Sequence, residues 1–151
     1  MKTAGDLANE DLETLQIKAV LDVVGSLDLP IVGTSMGKRW NAYERARLSS
    51  PSERRPEIGD VIIFSRGRRL VAHRVIARLW GRYITKGDAR WTFDRPFPTD
   101  ENVIGVVTAL FPGGACPRSK SRAFFEGFKA IAASPIWLFF QRQIGRGRPP
   151  A

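Results

Sequence analysis

A serine hydroxyl becomes a useful nucleophile near neutral pH only when a neighbouring base takes its proton. The side chain best suited to that task, histidine, occurs once in this 151-residue chain, at His73. Ser35 closes the apolar run Leu29-Pro30-Ile31-Val32-Gly33 followed by Thr34. His73 sits inside the apolar stretch 70–77, and the loop Thr85-Lys86-Gly87-Asp88-Ala89-Arg90-Trp91-Thr92-Phe93-Asp94 supplies two carboxylates, Asp88 and Asp94. A carboxylate beside an imidazole fixes its tautomer and stabilises the imidazolium formed when it accepts a proton. Lys86 offers a second type of base, but its place in this loop reads as structural. Cys116 lies among Gly, Ala and Pro without a surrounding nucleophile motif, and with His73 it gives two of the four ligands a zinc site requires. No cofactor is expected.

The elements that must position these residues follow from periodicity and turn chemistry. Residues 9–25 predict an amphipathic helix, capped by Asn9 and stopped by Gly25, with Leu12, Leu15, Ala19, Val20, Val23 and Leu27 near one face. A strand is expected over 29–33, and a weak one near Tyr43–Leu48 within the polar, Arg-rich segment 37–58. Strands then follow at 60–64, 70–77, 82–85 and 102–111, with turns at 66–68 and at Gly81. Beyond Pro112-Gly113-Gly114 the chain becomes basic and aromatic, with two short helices divided at Pro135 and a tail from 145. The organisation expected is an N-terminal helix (1–28), a β domain (29–112) and a C-terminal helical extension (113–151).

The chain has 24 Lys+Arg against 15 Asp+Glu, a net charge of +9. Residues 1–30 hold two bases against six acids, so the remainder carries +13. Such a field attracts acidic partners. Residues 122–143 interleave basic and aromatic side chains, as an interfacial helix on an anionic membrane does. The arginines are otherwise dispersed and no helix-turn-helix or zinc finger is legible, which argues against nucleic acid. No apolar run reaches the length of a membrane span and no secretory signal is legible, so the expected location is cytoplasmic or peripheral at the inner membrane face.

Five short boxes in order carry a resemblance: Ser35-Met36, Gly59-Asp60-Val61-Ile62-Ile63-Phe64, His73-Arg74-Val75-Ile76, Thr85-Lys86-Gly87-Asp88 with Asp94, and Val103-Ile104-Gly105-Val106-Val107. Over about residues 29–112 the chain resembles the signal peptidase I family, in its archaeal and endoplasmic-reticulum branch. The bacterial branch and the LexA-type self-cleaving repressors would have Lys where His73 stands. The resemblance implies a mainly β fold of the signal-peptidase/LexA type. It implies a serine endopeptidase that cuts a leader or signal-like peptide, with Ser35 as nucleophile, His73 as general base and Asp94 orienting it. Asp88 takes a supporting role and is the substitute if Asp94 is misplaced. Thr34, Met36, Val71 and Trp91 are the candidate substrate contacts, on a peptide lying extended near 29–33 or 70–75. The sequence departs from the family at Gly33, where a hydroxyl residue often helps form the oxyanion hole, and in lacking the spanning helix ahead of the serine. The alternatives are a non-catalytic peptide-binding module of the same fold and a basic nucleic-acid-binding protein.

Overall fold

The computed structural model describes residues 4–67, 69–116 and 120–132. The fold is mainly β. One antiparallel sheet of seven strands is built from β1 (Ser26–Pro30), β2 (Arg45–Ser49), β3 (Val61–Arg66), β4 (Arg69–Leu79), β5 (Arg82–Lys86), β6 (Val103–Phe111) and β7 (Gly114–Ala115). The order across it is β1-β2-β6-β3-β4-β5, with β7 pairing β6. Helix α1 (Ala4–Val24) precedes it and α2 (Lys120–Ala132) follows it.

Period-2 alternation divides the sheet into two faces. Val61, Ile63, Leu48, Ile104, Val107 and Leu110 join Leu21, Met36 and Trp40 in one buried cluster. Ile62, Phe64, Val75, Tyr83, Val103 and Val106 form the other. The β3–β4 register pairs Ile62 with His73 and Val61 with Arg74. His73 therefore lies on the second face and Arg74 on the first.

Three sequence expectations need correction. Helix α1 begins at Ala4, so Asn9 lies inside it rather than capping it. Its buried side is set by Leu21, which is fully buried, and by Ile17. Leu15, Val20 and Val23 are exposed instead. The cause is steric: a methyl group at Gly105 would sit 3.0 Å from Leu21 Cδ2 and 3.0 Å from Leu48 Cδ2, so the helix seats where β6 has no side chain. The first strand runs over 26–30, not 29–33, and the helix-domain boundary expected at 28 falls inside β1. Gly33, at φ +103°, takes a left-handed conformation that a side-chain-bearing residue adopts only with strain. Within 37–58, Trp40 opens a 3₁₀ turn (Trp40–Ala42) and is buried.

Among the described residues, no helix is long and apolar enough to cross a membrane. Helix α2 covers the start of the basic-aromatic segment. The second helix expected beyond Pro135 and the tail lie outside the described residues.

Candidate active site

The β3–β4 hairpin carries His73 into a buried position, 6% exposed, with Phe64 packed edge-on against its ring at a centroid distance of 6.3 Å. The loop after β5 brings Asp94 back across the same face. Asp94 N donates to Thr85 O at 2.9 Å, which closes that loop against the β5 edge. Asp94 Oδ2 then lies 2.6 Å from His73 Nδ1 and accepts from Thr85 Oγ1 at 2.8 Å, while Oδ1 accepts from Arg66 at 2.8 Å. Burial alone would raise the Asp94 pKa. The His73 hydrogen bond and charge, the Thr85 hydroxyl and the Arg66 charge together hold it below the usual carboxylate value of 3.8. The carboxylate is therefore ionised at neutral pH. With Nδ1 directed at Asp94, the proton-accepting position left to a neutral ring is Nε2. Nε2 is buried and has no hydrogen-bond partner among the described residues.

Ser35 is placed by its neighbours. Met36 and Trp40 are buried in the first core cluster and pin the segment on its far side. Gly37 N donates to Thr34 O at 2.9 Å, so the chain turns tightly across Ser35. The Ser35 carbonyl accepts from Ala89 N at 2.9 Å, which fastens this turn to the loop after β5. Gly87 reports how close the parts approach: a methyl carbon there would lie 2.5 Å from Ser35 O and 2.9 Å from His73 Nε2. Serine backbone and imidazole thus meet over a position that only glycine can fill. The Ser35 hydroxyl itself makes no hydrogen bond to Nε2. No described backbone hydrogen bond uses the Ser35 N–H.

The structure separates the two carboxylates. Asp88 is gripped on the other face by Arg74, with contacts of 2.9 and 2.8 Å, and lies 2.9 Å from Arg122 of α2. It belongs to the scaffold and does not substitute for Asp94. Lys86 is fully buried and bonded to Glu126 of α2 at 2.6 Å and to Gly87 O at 3.1 Å. Removing one partner of a buried pair of this kind costs about 3–5 kcal/mol. Lys86 therefore fixes α2 to the loop and does not serve as a base. Burial pushes the Cys116 thiol up to about 11, so it stays protonated at neutral pH.

Of the expected substrate contacts, Met36 is corrected to a core residue, since it is buried beneath the serine turn. Thr34 is exposed beside Ser35, and Trp91 is 64% exposed in the loop. Val71, half-buried, packs on the second cluster two residues from His73 on the same face. A cleft of mixed lining, including Pro51, Arg55, Pro56, Tyr83, Asp100 and Val103, contains none of Ser35, His73 and Asp94.

Sequence reasoning assigned no role to Arg66 or Thr85. Alternation was the available signal: Ile62, Phe64 and Arg66 share a face, and Thr85 pairs with Val75 two residues from His73. Comparison with protein-family models, with curated proteins and with solved structures returned no significant match to this chain.

Two outcomes follow from this geometry. Because folding lowers the Asp94 pKa, its contribution to stability is present above the ordinary carboxylate pKa and is lost as pH falls through the folded value. Urea titrations from pH 7 to pH 2 should therefore show a shallower loss of stability below about pH 5 in Asp94→Asn than in the parent; parallel curves would count against the charged contacts. Gly87→Ala should lower stability by about 1–3 kcal/mol through overpacking against the Ser35 carbonyl. An unchanged thermal melt would contradict the close approach.

Proposed function

We propose that the chain is a serine endopeptidase of the signal peptidase kind, in which Ser35 is the nucleophile, His73 the general base and Asp94 the orienting carboxylate. The observation that carries this reading is the buried His73–Asp94 contact with Nε2 left unpartnered beside the Ser35 turn. A structural histidine on an apolar face has no need of a carboxylate on one nitrogen and a vacant second nitrogen, whereas a base needs both.

In this mechanism Ser35 Oγ forms a bond to the scissile carbonyl carbon as His73 Nε2 takes its proton. The imidazolium is stabilised by the adjacent Asp94 carboxylate. The tetrahedral oxyanion accepts from the Ser35 N–H. Breaking of the C–N bond follows, with His73 returning the proton to the leaving amine. Water then repeats the cycle on the acyl-enzyme. The Ser35–His73 contact missing in the free protein has to form as substrate binds, since catalytic hydrogen bonds are often loose before then. Gly33 carries no hydroxyl, and the adjacent Thr34 is the hydroxyl residue that could take over as second oxyanion donor.

A peptide would bind as an added strand. One extended stretch beside the site offers such an edge: residues 70–73 of β4, which pair with β3 but extend beyond the β5 pairing, whereas residues 31–34, leading from β1 into Ser35, are interrupted by the left-handed Gly33. The rest of the β5 edge is covered, with Tyr83 N bonded to Pro98 O and Arg82 bridged to Thr99. The expected contact with an anionic membrane surface enters through α2, whose Phe124 and Phe125 are 78% and 56% exposed. The non-catalytic binding module is favoured by one observation, the missing Ser35–His73 hydrogen bond, and the same variants decide between the two.

Against a proteome-derived peptide mixture read by mass spectrometry, Ser35→Ala and His73→Ala should each lose at least about a thousandfold in cleavage rate, and Asp94→Asn about a hundredfold or more, all three with a folded circular-dichroism spectrum. Cleavage by Ser35→Ala at the parent rate would overturn the assignment.

A further inference from the structure

The methyl position at Gly87 that touches Ser35 O and His73 Nε2 also lies 3.1 Å from Arg90 Cγ. Arg90 closes the turn that begins at Gly87, with its N–H donating to Gly87 O at 2.9 Å. Its side chain thus starts at the catalytic centre and is exposed. Among the described residues it has no ion-pair or hydrogen-bond partner through its guanidinium. The two carboxylates nearest in sequence are already taken, Asp88 by Arg74 and Arg122, and Asp94 by His73 and Arg66.

The surroundings have the same sign. The three segments that build the site, residues 33–40, 64–72 and 87–95, contain no acidic residue other than the buried Asp88 and Asp94. Lys38, Arg39, Arg66, Arg69 and Arg95 in these segments are all exposed. A guanidinium in this setting has two uses, holding the oxyanion or holding a substrate carboxylate. An oxyanion donor must be fixed in advance, and an exposed arginine without a partner is not. Recognition of a carboxylate by the planar two-pronged guanidinium assembles on contact and tolerates that freedom.

We infer that Arg90 is a specificity-determining residue that binds an Asp or Glu side chain of the substrate within a residue or two of the scissile bond. The substrate class is then acidic peptides, drawn in by the basic rim. This rests on the peptidase reading above and deepens it.

The test begins with the cleavage profile of a proteome-derived peptide mixture. It continues with synthetic peptides built on one cleaved sequence, bearing Glu, Gln or Lys beside the cut. The parent should enrich for acidic residues next to its cut sites and prefer the Glu peptide over the Gln peptide by roughly ten- to a hundredfold in kcat/KM. Arg90→Gln should reduce that ratio toward one, and Arg90→Glu should favour the Lys peptide. Ser35-dependent cleavage with no acidic enrichment, or a Glu-to-Gln ratio that survives Arg90→Gln, overturns this inference alone. An absence of any Ser35-dependent cleavage overturns the peptidase reading and this inference with it.

Discussion

The Asp94 carboxylate lies 2.6 Å from His73 Nδ1 at a position that is 7% exposed, and much of the surrounding structure serves to keep it charged there. An unpaired carboxylate at such depth would take up a proton, because burial disfavours the ionised form. Thr85, Arg66 and His73 together reverse that tendency. Each arrives on a different element: Thr85 on β5, Arg66 at the end of β3 and His73 on β4. The hairpin register that aligns these strands is therefore also what sets the electrostatics of the site. An ionised Asp94 favours the tautomer in which Nδ1 carries the proton and Nε2 remains a base.

A second set of charged contacts works on the opposite side of the same loop. Arg74 holds Asp88 with two prongs and bonds Gly59 O at 2.7 Å, while Lys86 is joined to Glu126. These pairs are buried, so their net contribution to stability is small while breaking either one is costly. Their effect is positional: they hold Asp88 and Lys86 on either side of Gly87, the residue over which Ser35 and His73 meet. Helix α2 thereby takes part in shaping the site without supplying any reacting atom.

Strands β3 to β6 were legible because alternating apolar residues, Arg66-Gly67 and Gly81 mark both their faces and their ends. The pairing of His73 with Asp94 rather than Asp88 is open in the sequence: alternation along β4 sends His73 and Arg74 to opposite faces, but which carboxylate reaches which face is set by the path of the loop after β5. Helix α1 was harder. Leu15, Ile17, Val20, Leu21, Val23 and Val24 spread apolar groups around its circumference, and which of them faces inward depends on the small residue at Gly105, a long-range fact. The first strand is hard to place from sequence because Ile31 and Val32 look like strand residues, yet they extend past the end of β1 toward the serine turn. Met36 looked like a possible substrate contact because it adjoins Ser35, but its anchoring in the core is what holds that turn in place.

In the proposed mechanism Ser35 is made nucleophilic by His73, itself held by Asp94. Fluorophosphonate labelling read by intact-protein mass spectrometry and peptide mapping tests it without knowledge of the substrate. One adduct per chain is expected, on Ser35, lost in His73→Ala and formed much more slowly in Asp94→Asn. A parent chain that takes up no label, or a His73→Ala chain labelled at Ser35 as fast as the parent, would contradict it.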